Sequence, residues 1–349
     1  MIDPDALQRP PRLAAGDRIA VVSLSWGGPG AFPDRYRAGV RQMEHEFGIE
    51  VVPTSNALRE PEWVARNPQA RAEDLMTAFS DPGVAGIVSS IGGDDSIRIL
   101  PFLDPSVIAA NPKVFLGFSD TTITHMACLR AGLVSFYGPA IMAGFGENAG
   151  LFPYMVEGVR RTLFEPEELL EWPENDDGWT VEHLDWGDPA DQARARVLRS
   201  STGWRWLGGE AAQGPVVAGC VEVLDWLRGT KWWPDLDGAV LAIETSEDQP
   251  PPAAVAGFLR SLAARDDLQR LAALLIGRPG GSDLPVEDHA RYDEAATLVV
   301  RDEEGLDAMP IVTGMDFGHT DPAWTIPIGM PMRVDPSRTS VEFLRAGVV

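Results

Sequence analysis

A serine stands at position 119 in the run Gly-Phe-Ser-Asp-Thr-Thr (117–122), directly after an apolar stretch and before a helical pattern. A hydroxyl at such a corner faces the positive end of the following helix, and nearby backbone N–H groups can hold an oxyanion, so the placement suits a nucleophile. Ser, Asp and Thr are also the preferred helix N-caps, and the segment reads as well that way. The Gly-x-Ser-x-Gly elbow of α/β-hydrolases is not met, because Thr121 stands where its second glycine would be. A second run, Ser-Ile-Gly-Gly-Asp-Asp-Ser (90–96), also follows an apolar stretch. Its paired glycines let a backbone N–H close on a ligand, as half an oxyanion hole or a phosphate cradle, or simply make a tight turn. It lacks the Gly-Lys-Ser/Thr ending of a Walker loop.

A nucleophilic serine needs a base, and five histidines are available. His45 and His289 lie in charged helical stretches and read as surface residues, His125 falls inside a helix, and His183 lies in a tryptophan-rich loop. His319, in Gly-Met-Asp-Phe-Gly-His-Thr-Asp-Pro (314–322), is flanked by glycine and small polar residues, which suits a side chain presented to a cleft. A plain loop histidine has the same surroundings. A histidine base would titrate at about 6 to 7. Glu244 closes an apolar run in Ile-Glu-Thr-Ser-Glu-Asp (243–248), where a carboxylate can orient an imidazole; Glu247 and Asp248 read as solvated acids, and Glu244 can be read the same way. The two cysteines, Cys128 and Cys220, lack CxxC spacing, so neither a disulfide framework nor a structural zinc site is indicated.

These segments need a scaffold. Residues 18–24, 50–53, 85–91, 113–118 and 133–137 read as strands, with helices over 33–47, 70–79 and 121–130, the β-α-β alternation of an open parallel sheet. Such sheets place their sites at the carboxyl edge, where the serine and the glycine pair both fall. From about 165 to 214 the periodicity dissolves into acidic residues, Pro, Gly and five tryptophans (172, 179, 186, 204 and 206), which can be interdomain glue or a stacking platform for a ring-bearing ligand. Strands at 239–243, 271–276 and 310–313, helices at 253–264 and 287–301, and a Gly- and Pro-rich end with β-hairpins follow. The expected division is 1–165, an α/β domain carrying the serine; 166–214, the Trp-rich interdomain loop; and 215–349, a β/α domain carrying Glu244 and His319.

Across 349 residues, 52 acidic against 29 basic side chains give a formal charge of −23, which disfavours nucleic acid and anionic membrane surfaces as partners. No apolar run approaches the roughly 18 to 20 residues of a membrane helix, and the amino terminus has no signal-peptide pattern. A cytoplasmic location is the expectation.

Taken in order, the RIAVVSLS strand, SIGGDDS, GFSDTT, GTKWWP (229–234), AIETSED, GHTDP and the closing IPIGMPMRVD resemble the serine peptidase family that includes the LD-carboxypeptidases and the MccF-like microcin immunity proteins. The resemblance spans nearly the whole chain. It implies a flavodoxin-like N-terminal domain, a C-terminal swivelling β/α domain, and commonly a homodimer. It implies Ser119 as nucleophile, His319 as general base and Glu244 in place of the usual aspartate, with the backbone N–H groups of Gly92 and Asp120 as oxyanion hole and no metal or organic cofactor. The Gly-Gly loop with its following Ile-Arg-Ile-Leu-Pro-Phe-Leu-Asp is more similar to the MccF-like branch, which implies cleavage of the amide between an aminoacyl group and a nucleotide-like moiety. Gly93 and Trp186 (or Trp179) would then contact substrate, the tryptophan by stacking on a base. Val217 to Val221 falls where the family usually reads Gly-Gly-Asn-Leu, so Cys220 stands for the site asparagine and bears on substrate choice. Trimming of muropeptides as an LD-carboxypeptidase, and a catalytically silent ligand-binding relative, are the alternatives.

Overall fold

The computed structural model describes residues 1–349. Five short strands, β1 (Arg18–Val22), β2 (Glu50–Pro53), β3 (Gly86–Ser89), β4 (Val114–Gly117) and β5 (Ser135–Tyr137), pair in parallel in the order β2-β1-β3-β4-β5. β3, β4 and β5 are buried throughout, which is why they read as unbroken strand cores. Helices α1 (Pro33–Phe47), α2 (Pro68–Ser80) and α3 (Thr122–Arg130) are among the crossovers, and α1 stops at Gly48, whose φ of 67° caps it. The strands end earlier than the apolar pattern does: β1 at Val22, β3 at Ser89 and β4 at Gly117. The residues just beyond them are free to form loops at the carboxyl edge.

The rest of the chain supplies β6 (Leu170–Glu171), β7 (Arg205–Trp206), β8 (Ala212–Cys220), β9 (Val240–Glu244), β10 (Ala273–Gly277), β11 (Ile311–Met315), β12 (Ile326–Ile328), β13 (Pro331–Asp335) and β14 (Ser340–Phe343). All but β12 form one eight-stranded sheet, in the order β6-β14-β13-β8-β9-β10-β11-β7, with β8 to β11 parallel and the flanks antiparallel. β12 leaves this sheet and pairs antiparallel with β5, closing the edge of the first sheet. Its Pro327 fits an edge strand, where one N–H fewer costs little. The expected helix over 287–301 is interrupted: an α-helix Ala290–Thr297 sits between a 3-10 turn Val286–His289 and a π turn Leu298–Glu303.

One apolar cluster runs through both halves, joining Val22, Ile87 and Phe115 of the first sheet to Val217 and Ile243 of the second. Most of the tryptophan-rich segment belongs to that packing. Trp172 stacks on Phe343 at 5.7 Å and meets Trp204 edge-on at 5.4 Å, and its indole N–H donates to the Tyr154 hydroxyl. Trp179 lies buried between the guanidinium groups of Arg278 and Arg199. His289, expected at the surface, is buried against Trp179, and desolvation followed by the nearby arginines lowers its pKa to about 4. No helix is long and apolar enough to cross a membrane.

Candidate active site

β4 delivers Ser119 to the carboxyl edge of the first sheet, and the chain then turns at once into α3. The turn forces Ser119 to a φ of 62°, a left-handed conformation that a non-glycine residue adopts only when its surroundings hold it there. They do so from both sides. The Ser119 N–H donates to the Tyr137 hydroxyl at 3.0 Å, and the Ser119 carbonyl accepts from the Thr122 hydroxyl at 2.7 Å. From the second sheet, the Cys220 N–H at the end of β8 donates to Thr122 Oγ1 at 3.1 Å.

β9 ends at Glu244, which is fully buried and uses both carboxylate oxygens: Oε1 accepts from the Tyr137 hydroxyl at 2.5 Å, and Oε2 lies 2.6 Å from His319 Nδ1. His319 Nε2 in turn lies 2.9 Å from Ser119 Oγ. Hydroxyl, imidazole and carboxylate, drawn from three segments far apart in sequence, thus form one hydrogen-bonded chain. Gly318 makes it close. Its φ is 90°, and a Cβ there would stand 2.5 Å from Glu244 Cγ, so only glycine lets His319 fold down onto the glutamate. The loop is pinned from behind by Asp316, whose carboxylate takes a buried ion pair from Arg278 at 2.8 Å, the Trp204 indole N–H at 2.7 Å and the Asn175 N–H at 3.1 Å.

Burial by itself would depress the imidazole of His319. The charge and hydrogen bond of Glu244, with Glu247 and Glu222 adding their charges, outweigh it and raise the pKa to about 9, not the 6 to 7 of an unperturbed base. Tyr137 is pushed well above 10 by burial and by Glu244, so it remains a proton donor to that carboxylate. His125 plays no part in the cleft. It is buried, lowered to about 4 by desolvation, and held between Gly117 O and Ser135 Oγ at 2.9 Å each.

The glycine pair sits across from the serine. A Cβ on Gly92 would lie 2.9 Å from Ser119 Oγ and 3.6 Å from the Asp120 amide nitrogen, so the loop backbone and that amide share one small space. Neither the Gly92 N–H nor the Asp120 N–H donates to another backbone carbonyl. The Asp120 side chain meanwhile ties the two turns together, accepting from the Asp95 and Ser96 N–H groups at 3.0 and 2.8 Å and lying 2.6 Å from the Ser96 hydroxyl. A hydroxyl with a base on one side and two uncommitted N–H groups on the other can attack a carbonyl and shelter the resulting oxyanion.

A cavity of about 540 Å³ opens onto this chain, and Gly92, Gly93, Ser119, Trp186, Glu247 and His319 are among the residues lining it. Trp186 differs from the packed tryptophans. It lies edge-on to Phe32 at 5.8 Å with the Arg35 guanidinium 5.0 Å from its ring centre, and it reaches the cavity. Cys220 does not line the cavity. Its thiol is buried and turned onto Glu222 Oε2 at 3.3 Å, and burial with the flanking carboxylates keeps it protonated, so it backs the site instead of touching its contents. Its Sγ, a Glu244 oxygen and a His319 nitrogen lie within 4.8 Å of one another, but both Glu244 oxygens are already engaged. Two residues of the site escaped the sequence reading. Tyr137 looked like the end of a core strand, and Glu247, read as a solvated acid, lies 3.1 Å from His319 Nε2.

The chain matches the LD-carboxypeptidase N-terminal domain family over residues 19–138 and the LD-carboxypeptidase C-terminal domain family over 213–334. It is 27% identical to the microcin C7 self-immunity protein MccF of Escherichia coli over 325 residues, covering 93% of this chain and 92% of that protein. It is 28% identical to an MccF-like protein of Streptococcus pneumoniae crystallised with AMP, with a TM-score of 0.83 over 94% of this chain and 98% of the other. An MccF-like protein of Bacillus anthracis superposes with a TM-score of 0.85 at 25% identity, over 96% and 99% of the two chains.

Proposed function

Because the chain belongs to the LD-carboxypeptidase peptidase family, with a mixed α/β fold shared with MccF-like proteins, we propose that it is a serine carboxypeptidase of the MccF-like type, hydrolysing the amide between an aminoacyl group and a nucleotide-like moiety. The observation that carries this reading is the hydrogen-bonded chain Ser119 Oγ, His319 Nε2, His319 Nδ1, Glu244 Oε2 beside the cavity.

In this mechanism Ser119 Oγ attacks the carbonyl carbon while His319 Nε2 takes its proton, and Glu244 supports the imidazolium and fixes the tautomer that carries hydrogen on Nδ1. The oxyanion is met by the Gly92 and Asp120 N–H groups. Collapse breaks the C–N bond, with His319 returning the proton to the leaving nitrogen, and leaves an acyl-enzyme. Water then attacks, His319 takes its proton, and the serine hydroxyl is regenerated as the acid departs. The φ of 62° at Ser119 supports the reading, since it turns the hydroxyl out of the sheet edge toward both base and N–H groups. Trp186 and Gly93 in the cavity wall favour a nucleobase-bearing leaving group, in keeping with the AMP bound by the Streptococcus pneumoniae relative.

Mass spectrometry of the purified chain incubated separately with an aminoacyl sulfamoyl-adenosine and with a muropeptide tetrapeptide tests the assignment. Release of sulfamoyl-adenosine supports it. Release of D-alanine from the tetrapeptide alone would make the chain an LD-carboxypeptidase, and saturable binding without turnover of either would make it a binding protein.

A further inference from the structure

Arg35 is a buried cation without a carboxylate of its own. It lies in the first turn of α1 and is 6% exposed. Its Nε donates to the Met142 carbonyl at 2.9 Å and its Nη1 to the side-chain oxygens of Asn148 and, at 3.4 Å, Gln192, all of them neutral acceptors. The acids whose charge reaches it, Glu147 and Asp321, are hydrogen-bonded instead to Arg196. Burial is the larger influence and draws the guanidinium down to about 10, which leaves it charged at neutral pH. A cation buried on neutral partners is costlier to hold than an apolar side chain filling the same space, so its use lies in what it touches.

What it touches is the tryptophan of the cavity wall. The guanidinium carbon stands 5.0 Å from the Trp186 ring centre, and Phe32, the residue that precedes α1, meets the same indole edge-on at 5.8 Å. The turn after Trp186 is exposed from Gly187 to Ala190, so it has little packing of its own to fix the ring. Gln192, which accepts from Arg35, donates to the Asp185 carbonyl at 3.0 Å, and Asn148, its other side-chain acceptor, donates to the Asp191 carbonyl at 2.9 Å. One guanidinium thus braces both ends of the turn and attracts the ring that the turn carries. We propose that Arg35 is a positioning residue for substrate recognition, holding the Trp186 indole in the orientation in which it stacks on a nucleobase. The inference rests on the base-stacking reading of Trp186.

The experiment is a double-mutant cycle on Arg35→Met and Trp186→Ala, read as AMP affinity by calorimetry and as KM and kcat for an aminoacyl sulfamoyl-adenosine, with thermal unfolding to verify that each variant folds. Arg35→Met fills the space without the charge or the planar fork, and should weaken AMP binding by about fivefold and raise KM by more than it lowers kcat. Trp186→Ala should weaken AMP by about tenfold or more. Adding Arg35→Met to Trp186→Ala should change the affinity by less than about twofold, because Arg35 acts through the ring. Where Arg35→Met does not fold, Arg35→Lys, which keeps a charge and loses the fork, takes its place in the same cycle. AMP affinity unchanged by the Arg35 substitution, or effects of the two substitutions that multiply, overturns this inference alone. A wild type that does not bind AMP, or a Trp186→Ala variant that binds it as the wild type does, overturns it together with the base-stacking reading.

Discussion

The Tyr137 hydroxyl donates to Glu244 Oε1 at 2.5 Å across the seam between the two sheets, from the end of β5 to the end of β9. The same hydroxyl accepts the Ser119 N–H, so one phenol holds the strained turn at Ser119 and the carboxylate that meets His319. Tyr137→Phe leaves both a buried carboxylate oxygen and an N–H without a partner, a loss of about 1–3 kcal/mol in stability. Activity should fall by about tenfold or more as His319 loses its fixed orientation. Thermal unfolding and kcat measured on one preparation check this, and unchanged kcat would remove Tyr137 from the positioning role.

Ser119→Ala should lower the rate by about 10³-fold or more, because a nucleophile and its base act as a unit. Alanine meets the same backbone strain at a φ of 62° as serine does, so the melting temperature should change little. A Ser119→Ala variant that still turned over substrate at near wild-type rate would end the nucleophile assignment.

The pH dependence follows from His319. Only the neutral imidazole accepts the serine proton, so kcat/KM of the free enzyme should climb with pH toward a limb near 9. Stability runs the other way. The folded pKa lies above the unfolded value of about 6.5, so the contribution of the imidazolium with Glu244 is full below about pH 6.5 and is lost as pH rises through about 9. Glu244→Gln should move the activity limb down toward the ordinary imidazole range while cutting the rate by orders of magnitude. A limb at the same pH in both proteins contradicts the electrostatic cause.

Gly318→Ala sets a methyl group 2.5 Å from Glu244 Cγ at a φ of 90°, and neither the buried glutamate nor the pinned loop can give way. Loss of more than about 2 kcal/mol is expected, together with loss of the hydrogen bond between His319 and Glu244. The downfield Nδ1 proton of that bond in an NMR spectrum reports it directly.

Two tryptophans in one segment should behave oppositely. Trp186→Ala is expected to weaken a nucleotide-bearing substrate by about 1–3 kcal/mol with little change in melting temperature, since the residue faces the cavity. Trp172→Ala empties a packed site and should cost about 3–5 kcal/mol of stability. Equal effects of the two on stability would place Trp186 among the packing residues.

Ser119 and Glu244 stood out because each sits at the end of an apolar run that reads as a buried strand, and His319 because glycine and small polar residues flank it; each segment also reads as a plain cap, solvated acid or loop, and only the family resemblance joins the three. The glycine pair stood out, like Ser119, by following an apolar run. Tyr137 was not, since an aromatic residue closing a strand looks like core whether or not its hydroxyl is used. Glu247 was hidden among neighbouring acids, and only the turn after β9 brings it onto His319. Cys220 was misplaced because its position in the chain is at the site while its rotamer faces Glu222. β12, three residues with a proline in the middle, carries no period to read, and its partner is chosen entirely by tertiary packing.

β12 also has a meaning for the integrity of the two halves. The polypeptide leaves β11 in the second sheet, passes through His319, and is stitched into the first sheet at β5. A truncated chain ending before residue 326 would expose β5, otherwise wholly buried, as a bare border, the kind of edge that recruits strands from other molecules. The fragment holding the serine is thus unsuited to separate production, and cleavage anywhere between Met315 and Ile326 would cut the tether that carries the histidine from one sheet to the other.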